Sequence, residues 1–237
     1  KLDKIASICS KEDITMVAGT PTWSMVLFKK ILELTGKDNM HDVWPNMQVF
    51  VHGAVSFVPY RKPFEQFFPS PDMRYMETYN ASEGYFAVQY DFDHDDMLLL
   101  LDNGVFYEFI PMSEWEEENP KTHLLSEVEI GKNYAMVITT NSGLYRYKIG
   151  DTICFTSTEP YKIKITGRIK QFINVFGEEV MVSNTDQALA DTCATFKAMV
   201  KEYTVAPIFL QNESKGGHEW VIEFEKSPSD PIAFAKA

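Results

Sequence analysis

The sequence predicts an α/β protein in which a β-rich part of a large domain, residues 1–167, precedes a smaller α+β sandwich domain, residues 168–237. Short runs of alternating apolar and polar residues dominate residues 73 to 165, and this period of two is typical of strands. Beyond Arg168 the pattern changes to strand, helix, strand and strand, which is most of a small α+β sandwich. We therefore expect a domain boundary close to Arg168.

The composition describes a folded protein with an acidic surface. The chain has 237 residues, 45% of them hydrophobic and 14% aromatic, which is enough to bury a sizeable core. Its formal net charge of −12 argues against nucleic acid and against an anionic membrane as partners, because both require basic patches. An anionic small ligand stays compatible with this charge, since backbone N–H groups and a few cations can bind one.

The cysteine pattern and the hydropathy predict a cytoplasmic protein. Cys9, Cys154 and Cys193 are odd in number and far apart, and the sequence contains no C-x-x-C pair. They predict free thiols in a reducing compartment rather than a zinc site or a disulfide framework. No apolar run approaches the length of a transmembrane helix. The composition predicts no particular oligomeric state.

The first long element is a helix over residues 21 to 36. Thr20 suits an N-cap, Pro21 suits the first turn, and Gly36 suits the C-cap. Apolar residues at helical spacing follow Pro21, namely Trp23, Val26, Leu27, Ile31 and Leu34.

Two further segments carry local signals between residues 91 and 110. The acidic run 91–96 favours a solvated loop, and the alternative of a calcium loop lacks the Gly and the distal Glu of an EF-hand. Residues 97–101 and 105–110 are strand-like and flank Asp102, Asn103 and Gly104. Asn-Gly supplies the positive φ of a tight turn, so these two strands are expected to form a hairpin.

A conspicuous stretch runs from Asn141 to Val180. Leu144, Arg146 and Lys148 alternate with bulkier apolar residues, which predicts a strand that stops at Gly150 and Asp151. A carboxylate at such a strand-to-loop edge can accept two hydrogen bonds from a vicinal diol such as a ribose. The alternative is an ordinary Gly-Asp turn, because both residue types dominate turns.

Three motifs in this order carry a family resemblance. They are Tyr79-Asn80-Ala81-Ser82-Glu83-Gly84, the segment from Tyr145 to Asp151, and Thr166-Gly167-Arg168 followed by Phe172-Ile173-Asn174 and Gly177-Glu178. Together they resemble the Gretchen Hagen 3 (auxin-responsive) acyl acid amido synthetases, a branch of the adenylate-forming superfamily that also holds acyl-CoA synthetases, peptide-synthetase adenylation domains and luciferases. The resemblance covers residues 21 to 225.

This resemblance implies a ligase. An acyl acid amido synthetase uses ATP and Mg²⁺ to convert a carboxylic acid into an acyl-adenylate, and an amino acid amine then takes the acyl group. A small-molecule acid and an amino acid are the implied partners. Two alternatives stay open, namely an acyl-CoA ligase with a thiol acceptor, and a nucleotide- or acid-binding module without turnover.

The resemblance also implies roles for individual residues. Tyr79 would cover the adenine, Ser82 would contact the α-phosphate, and Glu83 would hold Mg²⁺. Arg168 would lie at the hinge near the ribose or phosphate, and Asp151 would bind the ribose hydroxyls. The remaining residues implied at the nucleotide are Ala81, Gly84 and Phe172.

His52 and Gly53 follow a predicted strand over residues 47–51. In the family the corresponding stretch lies beside the acyl site, so the resemblance implies that these two residues line the pocket for the carboxylic acid. The alternative for His52 is a histidine that neighbouring backbone satisfies at the end of a strand.

Two departures from the family lead us to expect a fragment of a longer enzyme. The family carries a Ser/Thr/Gly-rich phosphate loop upstream of a helix like 21–36, and Ala18, Gly19 and Thr20 do not supply one. No lysine of this sequence, Lys215 included, matches the adenylation lysine of the family's carboxy-terminal domain. We therefore expect a partial chain that lacks its amino-terminal phosphate loop and carboxy-terminal end, and is inactive alone.

Overall fold

A computed structural model describes residues 1–169, 180–208 and 217–237. Its helices in this part of the chain are α1 (Leu2–Cys9), α2 (Pro21–Thr35), α3 (Arg61–Phe67), α4 (Val182–Phe196) and α5 (Pro231–Phe234). Its strands are β1 (Met16–Ala18), β2 (Val49–His52), β3 (Arg74–Ala81), β4 (Gly84–Val88), β5 (Met97–Leu99), β6 (Val105–Pro111), β7 (Asn133–Thr140), β8 (Tyr147–Thr158), β9 (Tyr161–Arg168), β10 (Met199–Ile208) and β11 (Gly217–Lys226). Short 3₁₀ turns cover Met40–Asp42, Val58–Tyr60, Met112–Glu114 and Leu125–Glu127.

The large sheet has the strand order β1-β2-β3-β4-β5-β9-β8-β7-β6. Strands β1, β2 and β3 are parallel, and every later neighbour is antiparallel. β3 is therefore the strand at which the sheet changes from parallel to antiparallel pairing. Ligands of open α/β sheets bind outside the carboxyl ends of strands at such changes of topology.

Helix α2 has the predicted bounds and buries the predicted Ile31, but its buried face is centred on Phe28 and leaves Trp23 exposed. Gly36 has φ 66° and closes the helix, and Pro21 occupies its first turn after Thr20. Trp23 is 76% exposed, whereas Phe28 is fully buried. The ring of Phe28 meets several other rings edge-on, those of Trp44, Phe50, Phe64, Phe67 and Phe68. These edge-to-face contacts favour burying the Phe28 face over the face that the spacing suggested.

The expected hairpin at residues 102–104 is wrong, although both of its strands exist. Gly104 has the predicted positive φ of 78°. However, β5 pairs with β4 and β9, and β6 pairs with β7 at the far edge of the sheet. The returning strand β9 occupies the edge of β5 that a hairpin would have used, and such long-range pairing leaves no local sequence signal.

The predicted strand end at Gly150 and Asp151 is also wrong. β8 begins at Tyr147 and continues to Thr158, so Asp151 lies inside a strand. The register against β7 shifts between Ala135 and Val137, and Gly150 has φ 89° at this shift. A glycine in the left-handed region lets the strand bulge and then continue, whereas the sequence alone suggested a turn.

The chain beyond residue 180 forms its own two-stranded sheet, β10 with β11, next to α4. Asn184 lies in the first turn of α4, where its side chain accepts from the N–H of Met181. The expected strand at 172–176 lies outside the described residues. The proposed division at residue 167 stays a prediction.

The acidic run 91–96 is partly tied to the sheet. Lys162 on β9 lies 3.4 Å from Asp96, and Lys164 pairs with Asp95 at 2.5 Å. Asp91 accepts from the ring of His94 at 2.9 Å. The run is therefore the predicted solvated loop, with residues 92–95 exposed, and ion pairs connect it to β9.

The cysteines and the helices give two further findings. Cys9, Cys154 and Cys193 are free thiols, each partly buried. Within the described ranges, no helix combines the length and the apolar character that crossing a bilayer requires.

Candidate functional site

The carboxyl ends of β2 and β3 meet at the topological change in the sheet. The hydroxyl of Thr78 donates to the carbonyl oxygen of His52 at 3.1 Å. A Cβ placed on Gly53 would lie 2.5 Å from the carbonyl oxygen of Thr78, so the backbone approach requires glycine. The predicted residues His52 and Gly53 thus touch the strand that carries Tyr79.

Three of the predicted residues form one bonded group, which we call the Asp151 cluster: Tyr79, Asp151 and Arg168. The hydroxyl of Tyr79 donates to Oδ2 of Asp151 at 2.7 Å. Nε of Arg168 donates to Oδ1 of the same carboxylate at 2.9 Å. Strand pairing explains the second contact, because Asp151 on β8 lies opposite Arg168 on β9. The fold thereby joins three motif segments around one carboxylate.

The members of the Asp151 cluster differ in exposure. Tyr79 is 4% exposed and Asp151 is 6% exposed, whereas the side chain of Arg168 is 66% exposed. Burial, together with the neighbouring charge of Asp151, raises the pKa of Tyr79 far above its ordinary value. The phenol therefore stays protonated and acts as a donor throughout the physiological pH range. A buried carboxylate with two donors is satisfied by its surroundings.

The motif 79–84 consists mostly of strand, with a short turn in the middle. Tyr79, Asn80 and Ala81 belong to β3, and Ala81 pairs directly with Gly84 on β4. Only Ser82 and Glu83 remain in the turn between these strands. The sequence pattern missed the strand because Asn, Ala and Ser are weak strand formers, and pairing with β4 overrides this weakness.

Glu83 lies beside Tyr147 at the start of β8. A hydrogen bond with the Glu83 carboxylate raises the pKa of the Tyr147 phenol. No group of three His, Cys, Asp or Glu residues suited to a metal ion occurs among the described residues. A nucleotide-bound Mg²⁺ needs no such group, since it takes one or two carboxylates plus phosphate oxygens and water. The single carboxylate of Glu83 is therefore enough for the predicted Mg²⁺ site, in which phosphate oxygens and water supply the other ligands.

His52 packs against the aromatic rings of Phe50 and Phe57, and Glu77 is its partner in the strand register. We call these four residues the His52 cluster. The imidazole stacks on the ring of Phe57 at 4.1 Å between centroids and is 4% exposed. Its Nδ1 is buried without a hydrogen-bond partner among the described residues. Burial, with a contribution from Arg61, lowers the pKa of His52 to about 4. The backbone carbonyl of His52 accepts from Thr78, but its ring is not satisfied by neighbouring backbone, and a place beside the acid stays a prediction.

Glu77 lies opposite His52 in the register of β2 and β3. Burial is the main cause that raises the pKa of Glu77 to about 7, and Asp95 adds to it. Both shifts favour the neutral forms, so His52 is neutral at pH 7 and Glu77 ionises only as the pH rises through about 7. Sequence reasoning did not single out Glu77, and no local signal identifies it, because its environment comes from strand pairing.

The remaining predicted residues belong to neither cluster or lie outside the described residues. Ser82 is exposed in the β3–β4 turn. A Cβ on Gly84 would lie 2.9 Å from the ring of Phe86, which explains a glycine there. Phe172 lies outside the described residues. The roles assigned to individual residues stay predictions.

Comparison with known families identifies two matching segments. Residues 1–73 match the model described as "GH3 family N-terminal domain", and residues 98–168 match "GH3 family central domain". The second match ends at the last residue of β9.

Curated relatives agree with these matches. Indole-3-acetic acid-amido synthetase GH3.2 of Arabidopsis thaliana is 30% identical over 202 residues, which cover 77% of this chain and 35% of the relative. Indole-3-acetic acid-amido synthetase GH3.3 of the same plant is 28% identical over 165 residues, 65% of this chain and 27% of the relative. The chain thus spans about a third or less of the length of these relatives.

Solved structures show the same fold. The acyl acid amido synthetase AtGH3.15 in complex with 2,4-DB superposes with a TM-score of 0.71 at 13% identity, over 97% of this chain and 49% of that one. 2-Hydroxyisobutyryl-CoA ligase in the postadenylation state gives 0.67 at 14% identity, over 100% of this chain and 48% of that one. These likenesses confirm the predicted fold class, a mixed α/β architecture with a large sheet.

Proposed function

The chain belongs to the GH3 family, and on that premise we propose that the whole protein activates a carboxylic acid with ATP and joins it to an amino acid. A carboxylate oxygen of the acid attacks the α-phosphorus, and pyrophosphate leaves. The amine of the amino acid then attacks the acyl carbon, AMP leaves, and the amine loses a proton. The observation that carries this proposal is the Asp151 cluster, where residues of three motifs contact one carboxylate.

The Asp151 cluster is proposed to bind the nucleotide through its ribose. A carboxylate offers about four lone-pair directions, and Tyr79 and Arg168 use two of them. The others can accept from the two ribose hydroxyls. Arg168 adds a long, exposed cationic side chain that can reach the ribose or phosphate. The predicted roles of Ala81, Gly84 and Phe172 at the nucleotide are part of the same proposal.

Phosphate chemistry is proposed to take place at the β3–β4 turn. Ser82 supplies a hydroxyl and a backbone N–H for the α-phosphate, and Glu83 supplies a hard oxygen for Mg²⁺. The metal would neutralise charge that develops on the phosphate oxygens. Support comes from the placement of both residues in an accessible two-residue turn next to Tyr147.

His52 and Gly53 are proposed to contribute to the pocket for the carboxylic acid. The unpartnered Nδ1 of His52 supports this, because a buried polar atom without a partner costs free energy that a ligand could recover. Gly53 supports it by keeping the end of β2 in close contact with Thr78, next to Tyr79.

The test of the activity uses the protein expressed from its complete coding sequence. Acid-dependent exchange of labelled pyrophosphate into ATP reports the first half-reaction. Glu83→Gln should fold normally and lose at least about a hundredfold in exchange, because it removes a carboxylate–metal contact to developing charge. Glu116→Gln, at an exposed surface acid, serves as the control. Exchange within a few-fold of wild type in Glu83→Gln would remove Glu83 from the metal site.

The product identifies the acceptor. Amide formation with amino acids is expected, whereas a thioester with coenzyme A would favour an acyl-CoA ligase, the second candidate, because a CoA ligase shares the fold. Nucleotide binding without exchange would favour a non-catalytic binding module.

Two units are proposed to divide the chain, 1–167 in the large domain and 168–237 in the small carboxy-terminal one. The support is that Arg168 is the last residue in the chain to belong to the nine-stranded sheet, whereas β10 and β11 form a separate sheet. Hydrogen exchange should then show β10 and β11 opening with a free energy different from that of β6–β9. One common opening free energy would argue for a single unit.

A cytoplasmic setting and small-molecule partners complete the proposal. Three free thiols suit a reducing compartment, and the charge of −12 disfavours nucleic acid and anionic membranes. Cell fractionation tests the location, and recovery with a secreted or membrane fraction would contradict it.

A further inference from the structure

We infer that the hydroxyl of Tyr79 is a positioning group that fixes the Asp151 carboxylate for the ribose, so that Tyr79 acts through Asp151 rather than through its ring face alone. This inference rests on the proposed nucleotide site and assigns a new task to one of its residues. The direct bond of 2.7 Å between the phenol and Oδ2 of Asp151 carries it.

The ring of Tyr79 is enclosed by the sheet core. It is 4% exposed and meets the ring of Phe86 at 5.0 Å with an interplanar angle of 61°. Its backbone pairs with Ala87 on β4. An adenine would find almost no free ring surface on which to stack, whereas the hydroxyl already points at the carboxylate.

The two partners of Asp151 differ in rigidity. Tyr79 is buried in the core on a strand that pairs with β4, so its hydroxyl has a fixed place. Arg168 is the last residue of β9, with a side chain that is 66% exposed, so its guanidinium can turn away without disturbing the core. Tyr79 therefore sets the plane of the carboxylate, and Arg168 is the partner that can exchange with a ligand.

The direction of the bond does not depend on physiological pH. Burial keeps the phenol protonated, so it always donates and the carboxylate always accepts. A donor held on Oδ2 removes the freedom of the carboxylate to rotate about its Cβ–Cγ bond. Ribose hydroxyls then meet acceptors already in place, which lowers the ordering cost of binding.

The experiment compares two buried tyrosines in the protein expressed from its complete coding sequence. Tyr79→Phe removes only the hydroxyl and keeps the ring. Tyr107→Phe is the matched control, because Tyr107 is 3% exposed in the same core cluster and its hydroxyl donates to the carbonyl of Leu100 at 3.0 Å. Calorimetry measures the affinity of each variant for AMP, 2′-deoxy-AMP and 3′-deoxy-AMP.

Tyr79→Phe should weaken AMP binding about tenfold and should reduce the penalty for removing either ribose hydroxyl, since the carboxylate is no longer oriented. Tyr107→Phe should stay within twofold of wild type. In turnover, KM for ATP should rise about tenfold while kcat changes less than threefold. In an Asp151→Ala background the Tyr79→Phe effect should largely disappear, because alanine leaves no carboxylate for the hydroxyl to orient.

Each other outcome has a definite meaning. Unchanged AMP affinity in Tyr79→Phe overturns the inference, as does an undiminished effect in the Asp151→Ala background. A wild-type protein that binds no nucleotide contradicts the proposed function instead. If Tyr79→Phe lowers the melting temperature severely, the comparison of deoxy analogues in the folded fraction still decides, because a purely structural role would leave the ribose preference intact.

Discussion

The Asp151 cluster and the His52 cluster bury polar side chains to the same extent but satisfy them differently. Asp151 is 6% exposed and accepts from two donors, whereas His52 is 4% exposed and its Nδ1 has no partner among the described residues. A paired buried group is costly to break, but an unpaired one costs free energy as it stands. Substitution should therefore have opposite effects on stability in the two clusters.

The largest effect is expected for Asp151→Ala. Nucleotide affinity should fall ten- to a hundredfold, since charge-assisted bonds to ribose contribute about 1.5–3 kcal/mol. Stability should fall by about 2 kcal/mol as well, because the phenol of Tyr79 is left buried without a partner. Denaturant unfolding and calorimetry on the same variant measure both quantities.

Asp151→Asn is the matched control for this prediction. One carbonyl oxygen remains to accept, so the variant should do less damage to nucleotide affinity than alanine. An intact nucleotide affinity in Asp151→Ala, with only a loss of stability, would reduce Asp151 to a structural residue.

A second effect is expected at Gly53, which follows His52 in the chain and packs against Thr78, the residue before Tyr79. Alanine there would place a methyl group 2.5 Å from the carbonyl oxygen of Thr78, so Gly53→Ala should cost about 3 kcal/mol of stability. Gly131→Ala is the control, since its surroundings are open and only its φ of 83° costs about 1 kcal/mol. Equal losses in the two variants would show that β2 moves away from β3 easily.

The third effect concerns how the stability of the protein depends on pH through Glu77. The pKa of Glu77 is raised to about 7, so stability is lost as pH rises from about 4.5 through 7, where only the unfolded chain ionises freely. Glu77→Gln should therefore gain about 3 kcal/mol of stability at pH 8 relative to wild type and almost nothing at pH 4.5. Urea unfolding at several pH values measures this, with Glu116→Gln as the exposed control. A gain that does not depend on pH would contradict the buried acid.

The sequence predicted much of this fold for local reasons. Thr20, Pro21 and Gly36 mark the ends of α2, because helix ends depend on capping and φ preferences of single residues. The family motifs also predicted that Asp151 and Arg168 serve one site, and the structure joins them through β8 and β9.

Other features depend on contacts between distant segments and have no local signal. The bond between Tyr79 and Asp151 joins residues 72 positions apart. The bulge at Gly150 is indistinguishable from a turn until β7 is placed beside it. The buried Nδ1 of His52 follows from Phe57 closing over the ring, which the alternation of a short strand does not reveal.

The smallest effect on stability is expected for His52→Leu, which removes the unpartnered Nδ1 of the His52 cluster. Removing an unpartnered buried nitrogen should raise stability at pH 7 by about 1 kcal/mol. The folded protein keeps His52 neutral down to a pKa of about 4, so wild type loses stability as pH falls from 6.5 to 4, and the variant should lose less. If His52 contacts the acid as proposed, acid affinity should fall although stability rises.

Phe50→Leu, at the neighbouring core ring, should do the reverse and lower stability while acid affinity persists. A less stable His52→Leu with normal acid affinity would mean that the ring serves packing alone, and the contrast with Asp151 would then be one of shape rather than of hydrogen bonding.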